Sequence, residues 1–161
     1  MSQGWSPEPV EESVGYMLKK AATALRSAMD SALRPLDLTV SQYACLEVLR
    51  QRPGLTGSEL ARAVFVSRQS MNLVLKGLER RGLLTRPAAP AHGKALPTEL
   101  TPAGREQLAA ANEVVGAVER RMLSALTPAA ERRLCADLTA CVDALGEPDE
   151  DEEDQSVPKA S

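Results

Sequence analysis

Apolar residues fall at three- and four-residue steps over most of the chain, the spacing that lines one face of an α-helix. The first such stretch runs from Ser13 to Leu33, with Val14, Met17, Leu18, Ala21, Leu25, Ala28, Met29 and Ala32 on one stripe. Pro35 in "RPLDL" breaks it, and "TVSQYACLEVLRQRPG" predicts a second helix, capped near Thr39 or Ser41 and stopped by Pro53 and Gly54. A short third helix follows in "LTGSELARAVF". There Thr56 and Glu59 have capping-box spacing, each side chain accepting from an amide that the helix start leaves unpaired. "VSRQSMNLVLKGLERRGLL", Val66 to Leu84, predicts a fourth helix with Ser67 as its N-cap. Val66 and Met71 can close a hydrophobic staple around that cap, and Gly82 suits the left-handed position past the helix end.

The fourth helix has two unlike faces. At 100° per residue, Met71, Val74, Leu75 and Leu78 point one way, while Gln69, Leu73, Lys76 and Arg80 point roughly opposite, flanked by Arg68, Ser70 and Asn72. Leu73 is the odd member of the wet face. Beyond it, the periodicity changes from helical to alternating. Leu83–Arg86 and Ala95–Leu100 predict short strands of a β-hairpin around "PAAPAHGK", with Pro97 marking an edge. Helices resume at "TPAGREQL", where Thr101 caps and Pro102 opens a helix to about Ser124, and again at Thr127 and Pro128, ending at Gly146.

Composition narrows the class. Of 161 residues, 43% are apolar and only 2% aromatic, so the core is aliphatic and the fold mostly α. No apolar run approaches the ~18 residues of a membrane span, and the N-terminus lacks a basic and apolar leader, so a cytoplasmic, membrane-free protein is expected. Cys45, Cys135 and Cys141 lack CxxC spacing and sit in apolar helical patterns, which predicts reduced core thiols.

A net charge of −3 speaks superficially against a nucleic-acid partner. Glu147 to Asp154, however, holds 7 of the 22 acidic residues, leaving 18 basic and 15 acidic groups in residues 1–146. Within Ser58 to Arg105 the balance is 8 basic to 3 acidic. A basic module is therefore joined to an acidic tail too polar to fold. Helix, short helix, turn, amphipathic helix and hairpin, with the basic surplus on them, describe a winged helix-turn-helix that binds DNA. The expected organisation is an N-terminal arm and first helix over residues 1–34, the winged helix-turn-helix over 35–101, two C-terminal helices over 102–146, and the tail over 147–161.

"LTVSQYACLEVL", "LTGSELARAVFVSRQSMNLVLKGLERRGLLTR" and "ELTPAGREQL" together resemble the MarR family of bacterial transcriptional regulators, across residues 10–146. The resemblance implies a homodimer in which the first helix and the last two interleave. Independently, three apolar stripes are too many to bury in one small monomer. A two-fold dimer presents two recognition helices about one DNA turn, ~34 Å, apart, and so implies a pseudo-palindromic operator. The family favours repression by blocking polymerase.

On this reading Arg68, Gln69 and Asn72 read base edges and Leu73 packs on a thymine methyl, the plain alternative being an ordinary surface leucine. Ser67, Ser70 and Lys76 contact phosphates. Arg86, His92 and Lys94 belong to the wing, where the sequence departs from the family. The family's Asp-x-Arg at the wing tip is here His92-Gly93-Lys94, a compact charge in place of a flat guanidinium. Family members bind aromatic acids or phenols, and Tyr16, Tyr43 and Phe65 are the candidates to line such a cleft, although core packing accounts for each. No cofactor, metal site or catalytic constellation is indicated, because the single histidine lies in the hairpin and the cysteines are unpaired. Two other readings stay open: a winged helix used only for protein contacts, and a cysteine-based redox regulator.

Overall fold

The structure, a computed structural model, describes residues 9–86 and 97–146. A single 3-10 turn, Val10–Glu12, precedes α1, Val14–Leu33. Ser13 caps α1, its hydroxyl accepting from the Tyr16 amide at 3.2 Å. A second 3-10 turn, Arg34–Leu36, extends α1 one step beyond the expected break at Pro35. It ends on Asp37 in the left-handed region (φ 52°).

Helices α2 (Val40–Gln51) and α3 (Gly57–Val64) both begin with capping boxes, Thr39 with Gln42 and Thr56 with Glu59. The Thr39 box settles the N-cap that the sequence left between two residues. Helix α4 spans Arg68–Arg80 behind the Ser67 cap, and Gly82 takes φ +69° just past it, a conformation glycine adopts without steric cost.

Strands β1 (Leu84–Thr85) and β2 (Glu99–Leu100) pair antiparallel, Leu84 opposite Leu100 and Thr85 opposite Glu99. Among the described residues the ladder is shorter than the sequence suggested, and residues 87–96, with His92 and Lys94, lie outside them. Thr98 and Leu100 are buried while Pro97 and Glu99 are exposed, the alternation expected of a half-covered hairpin.

Helix α5, Pro102–Leu123, starts against the β1 turn. Thr101 donates its amide to the Leu83 carbonyl (3.2 Å) and its hydroxyl to the Gly82 carbonyl (2.6 Å). The approach is so close that a Cβ on Gly104 would lie 1.9 Å from the Leu83 carbonyl oxygen. Helix α6, Pro128–Leu145, is capped by Thr127 and belongs to a second compact unit that begins at Leu123.

The core lies in the first unit and is aliphatic. Leu46, Leu60, Met71, Leu75, Leu78 and Leu108 are almost completely buried, with Leu33 joining from the end of α1. Cys45 belongs to it, and burial pushes its thiol up to about 12. Cys135 and Cys141 do not. Both are exposed on α6, none of whose residues is buried, so the expectation of three core thiols is corrected for these two. Their apolar neighbours Leu134, Leu138 and Val142 on α6 are also exposed.

Candidate nucleic-acid interface

Helix α4 is held on three sides. Its inner face seals the core through Met71, Leu75 and Leu78, each no more than 1% exposed, with Val74 half-buried beside them. Its first turn is fixed by Ser67, whose Oγ accepts from the Ser70 amide at 3.1 Å while its hydroxyl donates to Ser70 Oγ at 3.0 Å.

The last turn is tied by Arg81, whose guanidinium donates to the carbonyls of Leu36 (3.3 Å) and Asp37. Gln107 of α5 donates to the same Leu36 carbonyl at 2.7 Å. The turn between α1 and α2 is thus bound at once to the end of α4 and to α5.

What this frame presents outward is the row anticipated from the sequence. Arg68, Gln69, Ser70, Asn72, Leu73 and Lys76 are all exposed, Leu73 to 68%. Arg86 has a second role. Its guanidinium is half-buried and paired with Glu79 of α4 at 3.0 Å, fastening the foot of the hairpin to the recognition helix. Neither this pair nor the Arg81 tie is visible as a motif, because each depends on a turn folding back.

The three aromatic candidates separate. Tyr43 of α2 is half-buried against the core and donates its hydroxyl to Asn112 Oδ1 of α5 at 2.9 Å. The Asn112 amide donates in turn to Glu47 at 3.2 Å, and Glu47 also accepts from Arg50 at 2.6 Å and Gln51 at 2.7 Å. The Arg50 hydrogen bond, assisted by those of Gln51 and Asn112, outweighs partial burial and holds the Glu47 carboxyl down at about 2. Burial, then the nearby Glu47 charge, raises the Tyr43 phenol above its ordinary value.

Tyr16 on α1 is 40% exposed and Phe65 is 85% exposed, so core packing is corrected for both. The reason at Phe65 is the backbone. Helix α3 closes with Phe65 N–H on Arg62 O and Val66 N–H on Ala61 O, a closure that puts Phe65 at φ 59° and ψ 46°. For a residue with a Cβ that conformation costs on the order of 1 kcal/mol. None of the three aromatics lines the open groove of about 660 Å³ between α1 and α5, which is walled by Ala24, Ser27, Ala28, Ser31, Ala32, Val118 and Arg121. Among the described residues no three His, Cys, Asp or Glu side chains gather as a metal site, and no helix is long and apolar enough to cross a membrane.

A short scaffold helix, a turn, a recognition helix with an exposed polar row and a hairpin fastened to it make this a winged helix-turn-helix of the DNA-binding kind. Residues 36–95 match the model of the MarR family. The chain is 42% identical over 119 residues to the HTH-type transcriptional repressor Rv2887 of Mycobacterium tuberculosis, covering 74% of this chain and 86% of that one. Among solved structures it is similar to Rv2887 in complex with DNA (38% identity, TM-score 0.68, 80% of this chain and 97% of that one). It is likewise similar to Rv2887 in complex with salicylic acid (37% identity, TM-score 0.66, 86% and 98%). The chain belongs to the MarR family of transcriptional regulators.

Proposed function

We propose that the protein is a homodimeric repressor of transcription, acting in the cytoplasm, that binds a pseudo-palindromic operator in double-stranded DNA. Residues 67–81 enter the major groove and the wing, residues 86–96, meets the minor groove. The observation that carries this reading is α4 itself, sealed on its inner face and displaying an unbroken outer row of donors, acceptors and one leucine. Arg68, Gln69 and Asn72 present geometries suited to guanine and adenine edges, and Leu73 an apolar surface suited to a thymine methyl. Ser67, Ser70 and Lys76 serve phosphates, with His92 and Lys94 doing so from the wing.

Pairing is supported by apolar surface that one chain leaves uncovered. Val14, Met17 and Leu18 on α1, Met122 on α5, and Leu134, Leu138 and Val142 on α6 are all exposed. So many uncovered side chains on three helices are more than a soluble monomer ordinarily shows. A small aromatic acid relieves repression, a reading supported by the salicylic acid complex of Rv2887 and by Tyr43, whose hydroxyl bridges α2 of the DNA-binding module to α5. Tyr16 is the second aromatic contact in this reading.

The test is footprinting of the gene's own upstream region with the purified dimer across a salt series. A protected inverted repeat whose affinity falls steeply with salt is expected. Salt-independent or absent binding would favour a winged helix used for protein contacts. Replacing thymine by uracil position by position within the protected repeat tests Leu73, where at least one position per half-site should lose affinity.

A further inference from the structure

Phe65 is anomalous on three counts. It is a large apolar side chain left 85% exposed in a chain that is 2% aromatic. It occupies a left-handed backbone position that glycine would fill without strain. Its neighbours Val64 and Val66 pack against the core, so the segment is fixed from both sides and Phe65 alone is turned outward. Folding explains none of this, since a glycine here would relieve the backbone and remove the exposed ring together. A strained residue that the surroundings hold in place without gain in packing points to a role outside folding.

Its position says what it meets. Phe65 lies two residues before Ser67, the cap of α4, at the end of the recognition helix that carries Arg68 and Gln69. The ring is thus three residues from Arg68 and four from Gln69, beside the end of α4 that those two side chains occupy. We propose that Phe65 is a DNA contact, its ring packing against the apolar carbons of the major-groove wall, the deoxyribose and thymine methyl groups beside the bases read by Arg68 and Gln69. The inference rests on the DNA-binding reading above and adds to it a residue whose contribution is apolar. The ring therefore adds affinity without releasing counterions, unlike a lysine or arginine contact. The backbone strain belongs to the same design, because the left-handed turn is what aims the ring out of the protein.

The experiment compares wild type with Phe65→Gly and Phe65→Asn, two residues that accept the left-handed conformation, on the footprinted upstream duplex. Phe65→Gly should melt about 3 °C higher than wild type and bind about tenfold more weakly, with an unchanged slope of log affinity against log salt. Phe65→Asn, which keeps a side chain there, should fold like wild type and show the same loss of affinity. Affinity within twofold of wild type for both variants, in a wild type that binds the duplex, overturns the assignment of Phe65 and leaves the regulator reading standing. A wild type that binds no duplex overturns both.

Discussion

Helices α1 and α4 are written in the same alphabet, yet solvent treats them differently. In α4 the apolar stripe of Met71, Leu75 and Leu78 is at most 1% exposed, whereas in α1 Val14, Met17 and Leu18 range from 39% to 70% exposed. Only the C-terminal end of α1, at Leu33, reaches the core. An amphipathic pattern therefore states that a face is to be covered, but not by what. In the helix-turn-helix the cover comes from the same chain, through Leu46, Leu60 and Leu108. On α1 and α6 it is left to a second copy, on the proposal made above.

The contrast can be broken first at the tightest point of the closed region. Gly104→Ala would drive a methyl group into the Leu83 carbonyl, a backbone atom that cannot step aside. We expect a loss of 3 kcal/mol or more, roughly the upper range of overpacking, read as a large drop in urea midpoint or as failure to fold. Leu46→Ala, which opens a cavity in the same core, should cost about 3 kcal/mol at any protein concentration. Leu134→Ala with Leu138→Ala on α6 should behave otherwise. Its cost, about 2 kcal/mol, should appear as a concentration-dependent midpoint and an increased monomer fraction in sedimentation. A concentration-independent effect would locate the cover of α6 within one chain.

The polar links between regions give smaller signals. Glu47 ionises well below its ordinary 4.5, so the stability it supplies is complete above about pH 4.5 and fades as pH falls toward about 2. Glu47→Gln should flatten that part of the stability curve by about 1 kcal/mol, a figure kept small because the Arg50 head is half exposed to screening solvent. The least effect concerns the thiols. Cys45, pushed up to about 12 by burial, should react with iodoacetamide at pH 8 only when the protein is unfolded.

Most of the scaffold was legible because its boundaries are chemical. Thr39, Thr56, Ser67, Thr101 and Thr127 each cap the helix they were expected to cap, since a hydroxyl that satisfies an orphan amide three residues on is a local event. The outward row of α4 was legible for the same reason, being set by periodicity alone. Phe65 was not. Its exposure follows from a left-handed helix closure that composition and spacing do not announce, and by hydropathy it reads as core. Arg81, Arg86 and Asn112 escaped because their partners lie 7 to 69 residues away, brought near by folding. The exposed state of Cys135 and Cys141 escaped because a buried seam and a seam awaiting a partner look alike in sequence.

The shared carbonyl of Leu36 has one more consequence. It receives Arg81 from the end of the reading helix and Gln107 from α5, so the elbow after α1 is pinned from two directions. A swing of the first helix that shifted this elbow would strip a donor of its acceptor unless the reading helix travelled along. The pinned elbow ties the two helices together through hydrogen bonds to two adjacent backbone oxygens, those of Leu36 and Asp37.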